Sequence, residues 1–220
     1  MTRRRLLGCI AAIAVALSLP VDADEPALVQ AAERGDLAAV RKLLDSGTPV
    51  DTRDSRRRTP LLAATHANRV AVAKLLIERG ADVNAKDDIQ DSPYLYAGAE
   101  GRLEILRLAL AAGANLKSTN RYGGTALIPA AHHGHVEVVK LLLETRIDVN
   151  HVNDLGWTAL LEAVLLGNGG PRYVEIVRML LAHGADPGIA DRQGVTALAH
   201  ARRLRHHALV TLLRDATEKP

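Results

Sequence analysis

The sequence predicts an all-α solenoid of six helix-turn-helix repeats joined by short hairpin loops. Three observations carry this. The segments Thr59-Pro60-Leu61, Ser92-Pro93-Tyr94, Thr125-Ala126-Leu127, Thr158-Ala159-Leu160 and Thr196-Ala197-Leu198 begin 33, 33, 33 and 38 residues apart, and self-similarity at such a period marks a repeat architecture. Each segment follows an Asp or Asn by five positions, namely Asp54, Asp87, Asn120, Asn153 and Asp191. Each also leads into an Ala-rich stretch, a turn and an apolar run such as Val136–Leu143, and the unit closes with Gly80-Ala81-Asp82-Val83-Asn84 or a variant of it. Repeat boundaries fall at about 26–53, 54–86, 87–119, 120–152, 153–190 and 191–217.

Within a unit, the Thr or Ser is a helix N-cap whose hydroxyl accepts an otherwise orphaned backbone N–H. Pro60 and Pro93 fit the first helical position, where no N–H is needed. Ala63-Ala64 and Ala130-Ala131 make the first helix thin, so that neighbouring repeats approach closely. The second helix presents Val72, Leu75 and Leu76, or Val138, Leu141 and Leu142, at the three-to-four spacing of a buried face. Gly80, Gly113 and Gly184 end it in a left-handed cap. One repeat cannot bury its apolar face alone, whereas a stack shares a continuous core. With no Phe in the chain, that core is expected to be Leu, Val and Ala.

This pattern resembles the ankyrin repeat over about residues 26–215. Arg146 and Ile147 replace the usual Gly-Ala closure in the fourth repeat, at an expected cost of about 1 kcal/mol for a left-handed non-glycine residue. The family's His after Thr-Pro-Leu is Leu62, Leu95, Ile128, Leu161 or Ala199 here, which removes a hydrogen bond between adjacent loops. Pro129 stands early enough in its helix to be tolerated. The resemblance implies a concave groove lined by loop tips and first helices. The tip positions read Arg56 and Arg58, Ile89 and Asp91, Arg121 and Tyr122, Leu155 and Trp157, Arg192 and Gln193. The helix ends add Glu33, Arg34, His66, Glu100, His132, His133, Leu165, Leu166 and Arg203.

The partner-binding set expected from this frame is Arg56, Arg58, Ile89, Arg121, Tyr122, His132, His133, Leu155, Trp157 and Arg192, centred on repeats four and five. Tyr122 and Trp157 anchor it, since Tyr, Trp and Arg are enriched among binding hot spots. Trp157 has a second reading, as a packing residue against the next loop. The longer spacing of the fifth repeat places extra residues within 168–173, at the turn between its two helices. Insertions in repeat proteins map to loops, often on the binding rim; tolerated surface insertion is the alternative.

Residues 1–23 read as a cleavable secretory signal peptide: Arg3, Arg4 and Arg5, an apolar run at 6–19, then Val21-Asp22-Ala23 with cleavage after Ala23. That run is shorter than the roughly 20 residues a membrane span needs, so no stable anchor is expected. Thr2-Arg3-Arg4-Arg5-Leu6-Leu7 also resembles a twin-arginine signal, with the general secretory route preferred. The whole chain carries 28 Lys and Arg against 25 Asp and Glu. Removing the signal leaves 25 against 24, a balance that gives no reason to expect nucleic acid as partner. Cys9, the sole cysteine, leaves with the signal, so no disulfide, thiolate nucleophile or cysteine metal site is possible in the mature chain. No nucleophile elbow, phosphate loop or dinucleotide fingerprint is present. His132, His133 and His135 cluster, but no cysteine or carboxylate pattern completes a metal site. No cofactor or metal is expected. The reading is a non-enzymatic, monomeric protein-binding scaffold in the periplasm. The resemblance extends to small exported bacterial ankyrin-repeat proteins, some of them associated with catalase and peroxide resistance. A secreted effector acting on host proteins, or a His-based metal-binding protein, are the alternatives.

Overall fold

Thr59, Ser92, Thr158 and Thr196 each hold an extended backbone and accept the amide three residues on, so each starts a helix where the sequence places it. The computed structural model describes residues 26–218; the expected signal segment lies outside the described residues. Twelve helices are found among them, in six antiparallel pairs. They are α1 (Ala27–Arg34) with α2 (Leu37–Asp45), α3 (Pro60–His66) with α4 (Val70–Glu78), α5 (Pro93–Ala99) with α6 (Leu103–Ala111), α7 (Leu127–His132) with α8 (Val136–Leu143), α9 (Ala159–Leu165) with α10 (Pro171–Ala182), and α11 (Ala197–Arg203) with α12 (His207–Thr217). The odd-numbered helices pack on one another in chain order, and the even-numbered ones form a second layer behind them. Close approach depends on small residues. A Cβ added to Gly98 on α5 would lie 2.8 Å from Ala126 Cβ at the foot of α7.

Thr125 is the exception among the caps, and Pro129 is the reason. In the other repeats the amide four residues on bonds the cap carbonyl, as Ala63 does to Thr59. Pro129 has no N–H to give. The Ile128 amide therefore bonds the Thr125 carbonyl at 3.2 Å instead, and the Thr125 hydroxyl is left buried without a partner. The helix tolerates this but begins late and is the shortest of the twelve.

The core is Leu, Val, Ile and Ala with one addition. Tyr94 is fully buried, and its hydroxyl has no hydrogen-bond partner. An unpaired buried hydroxyl costs about 1–3 kcal/mol. Tyr94→Phe keeps the ring and removes the stranded oxygen, so it is expected to stabilise the protein by about 1 kcal/mol in urea unfolding. A lower urea midpoint would show that the hydroxyl has a partner.

Gly80, Gly113 and Gly184 take φ near +86°, as left-handed caps require. Repeat four departs from the expected strain. Arg146 does not adopt a positive φ. Its helix stops at Leu143, the Thr145 hydroxyl donates to the Leu142 carbonyl at 2.6 Å, and the Ile147 amide donates back to that hydroxyl at 3.2 Å. A side chain closes the end, so no glycine is needed.

The family histidine is absent as expected, and other side chains tie adjacent loops in its place. Lys86 Nζ donates to the Thr119 carbonyl at 2.6 Å, and Arg53 Nη1 to the Lys86 carbonyl at 2.7 Å. His151 Nε2 lies 2.7 Å from the Gly123 carbonyl oxygen. Asn84 and Asn150 each bridge to the closing loop of the next repeat, accepting from Asn115 and Asp186 amides at 2.8 Å. The extra residues of repeat five are only partly loop. Pro171, Arg172 and Tyr173 are helical, making α10 twelve residues long where the other outer helices before it have eight or nine.

Candidate binding groove

Each hairpin tip is built on its Asp or Asn. Asp54 Oδ1 accepts the amides of Arg56 and Arg58; Asp87 those of Ile89 and Asp91; Asn120 those of Tyr122 and Gly124. Asn153 and Asp191 repeat this at Leu155 with Trp157 and at Gln193 with Val195. The turn so fixed points the residues one and two past the Asx outward and returns the fourth beside it.

That geometry sorts the predicted residues. Ile89, Tyr122, Leu155 and Leu166 are 50, 49, 46 and 43 % exposed, large apolar groups held in water. Arg121 lies over the Tyr122 ring at 4.7 Å and 3.9 Å from Asp91. Trp157, at the return position, packs one side on the core while its surface lines a cavity. That cavity, about 470 Å³, lies across repeats three to five. Ile89, Arg121, Tyr122, His132, His133, Leu155 and Trp157 all line it, so seven of the ten expected residues are brought together.

Three stand elsewhere. Arg56 is exposed on the first tip, away from the cavity. Arg192 is also outside it, with its guanidinium donating to the Asp154 carbonyl of the preceding tip. Arg58 turns away from the groove, back over its own tip. It is 9 % exposed, its Nε donates to Asp54 Oδ2 at 2.6 Å and its Nη1 to Glu33 Oε1 at 3.3 Å. Burial alone pushes Asp54 up, but the Arg58 bonds outweigh it and hold the carboxyl below its usual range. His66 likewise turns inward, its ring 3.9 Å from that of Tyr96.

The sequence reading missed Glu162, Tyr96 and Asn153, which also line the cavity. Glu162 is on α9, 6 % exposed. Its Oε1 accepts from Asn153 Nδ2 at 2.9 Å, and its Oε2 has the His132 Nδ1 at 3.5 Å. Burial pushes its carboxyl up to about 7 against the opposing pull of Asn153 and His133. Burial also raises Asp91 and lowers His132. A signal existed: an acidic residue in the Ala-rich stretch Thr158-Ala159-Leu160-Leu161-Glu162-Ala163 occupies a helix that the repeat buries. The residues 168–172 do not line the cavity, although Tyr173 braces it from behind by donating its hydroxyl to the His132 carbonyl at 3.0 Å.

The histidines form a contact chain, with His132 and His133 ring centroids 4.7 Å apart and His133 and His135 5.8 Å apart. His133 Nδ1 lies 2.7 Å from the Ala99 carbonyl oxygen. Among the described residues no three His, Cys, Asp or Glu side chains are grouped to hold a metal ion, and no helix is long and apolar enough to cross a membrane.

The family profile for ankyrin repeats (three copies) matches residues 7–87 and 94–191. An ankyrin repeat domain from Acinetobacter baumannii is 55 % identical, with TM-score 0.85, over 87 % of this chain and 98 % of that one. The ankyrin repeat protein EF0377 is 46 % identical, with TM-score 0.82, over 86 % and 96 %. The ankyrin repeat domain of Bcl-3, a member of the IkappaB protein family, is 29 % identical, with TM-score 0.77, over 87 % and 86 %. No curated protein matches the chain. With its period, its capped helix pairs and these relatives in agreement, the chain belongs to the ankyrin-repeat family of protein-interaction scaffolds.

Proposed function

We infer that the groove over repeats three to five docks a partner protein in the periplasm, without catalysing a reaction. The observation that carries this is the clustering of exposed apolar side chains. Of the seven large hydrophobic residues left exposed among the described ones, four (Ile89, Tyr122, Leu155 and Leu166) line the same cavity. Scattered exposed apolar residues are ordinary, whereas a contiguous patch rimmed by polar groups marks an interaction site. The tips are fixed by two amide bonds to each Asx side chain, so little conformational freedom is lost on docking. Placement in the periplasm rests on the signal-like segment 1–23 and on the cysteine-free mature chain, which suits an oxidising compartment. A role in peroxide defence through a catalase partner rests on the resemblance alone.

Tyr122→Ala with Leu155→Ala tests the groove. Both side chains are about half in water, so the unfolding midpoint is expected to stay within about 2 °C. Recovery of crosslinked periplasmic partners is expected to fall at least about tenfold, the effect of losing one hot spot. Equal recovery by both proteins, or finding the protein in culture medium rather than periplasm, overturns the respective half of the proposal.

A further inference from the structure

The groove has a charged floor that docking of apolar groups alone leaves unexplained. Three carboxylates line it, Asp91, Glu100 and Glu162, against one guanidinium, Arg121. That guanidinium is already taken up by Asp91 and the Tyr122 ring. Glu162 is the deepest of the three, and only one of its oxygens has a hydrogen bond, from Asn153. Its Oε2 faces His132 Nδ1 at 3.5 Å, an imidazole whose charged form burial disfavours. The aromatic rings of Tyr96, Tyr122 and Trp157 line the same space. Rings around a carboxylate are the arrangement that receives an ammonium or guanidinium group, the ring faces and the anion attracting it together.

We propose that the groove recognises an extended segment of its partner by one basic side chain, lysine or arginine, whose charged end reaches Glu162 Oε2 between Tyr122 and Trp157. This rests on the reading of the groove as the docking site and names what it selects. A long basic side chain suits the cavity by shape as well as charge, since its methylene stem lies against Ile128, Leu155 and Trp157 while its head meets the floor. Burying a carboxylate is costly until a cation meets it, and the pKa of Glu162, pushed up to about 7, places that cost in the unliganded groove. An acidic segment meets three carboxylates there and is repelled.

Random heptapeptides displayed on phage and selected on the protein test this. The selected peptides are then synthesised and titrated against the wild type, Glu162→Gln and Tyr122→Ala, with Trp157, the sole tryptophan, as the fluorescent reporter. The expected result is a shared Lys or Arg, at least tenfold weaker binding when that residue becomes Gln, and at least tenfold weaker binding to Glu162→Gln. Peptides that depend on Tyr122 but carry no basic residue, or bind Glu162→Gln equally well, overturn the basic-side-chain recognition and leave the groove standing. If selection gives no peptides, or only peptides indifferent to Tyr122→Ala, the groove reading itself falls and takes this inference with it.

Discussion

Glu162→Gln is expected to stabilise the free protein by about 2 kcal/mol at pH 8 and to change it little at pH 5. Folded Glu162 keeps its proton up to about pH 7, against an ordinary value of 4.5. Between those values the folded state binds more protons than the unfolded one, so stability falls as pH rises, and above 7 the loss is complete. Each unit of displacement is worth about 1.4 kcal/mol, giving a ceiling of about 3; solvent reaching the floor through the cavity mouth lowers that to about 2. Glutamine is neutral at both values of pH and retains an oxygen for the Asn153 amide. Urea unfolding at pH 5 and 8 reads the difference. A variant less stable than the wild type at pH 8 would show that the carboxylate makes a stabilising contact absent from the structure. The groove thus keeps a charge that costs stability when empty, as expected where function and stability compete.

Arg58→Met is expected to destabilise the fold by about 3 kcal/mol, because it strands a carboxylate. The Asp54 side chain is 2 % exposed and that of Arg58 10 %, with 2.6 Å between Nε and Oδ2. Removing one member of a buried pair leaves an uncompensated charge, and here the loss is moderated because Asp54 Oδ1 still accepts two amides. Because Asp54 titrates below its ordinary 3.8, the pair's contribution is complete above that value and is lost as pH falls through the lower folded one. Lysine restores only part, since a single ammonium cannot serve both Asp54 and Glu33 as the guanidinium does. Partner affinity per folded molecule stays unchanged. A loss under 1 kcal/mol at pH 7, or a specific loss of binding, would return Arg58 to the surface role that its sequence position suggested.

Arg56 and Arg58 illustrate what a sequence conceals. Both sit in one basic run, and only the turn geometry separates them: the Asx bonds send position 56 outward and bring position 58 back over Asp54. The helix pairs were legible because caps, glycines and apolar runs are local signals that recur at a fixed spacing. Arg146 misled because a local rule, glycine at a left-handed end, has a local substitute in the Thr145 hydroxyl. The extra residues of repeat five look like loop from their glycines, yet Pro171 is a good first helical residue and adds to α10. Tyr122 and Leu155 were legible as tip residues. For Glu162 only the acidic residue on a buried helix was legible; its partners, His132 on the neighbouring repeat and Asn153 on its own tip, are set by packing that a single helix pattern does not reveal.

A photoreactive residue at position 122, compared in living cells with one at position 107 on the outer face of α6, tests the central claim most directly. Arg107 is exposed and lies outside the groove. The expected result is a discrete crosslinked partner from position 122 and none from 107, with the 122 product lost when Leu155→Ala is added. The same product from both positions, or a partner captured only from 107, would contradict recognition through the groove.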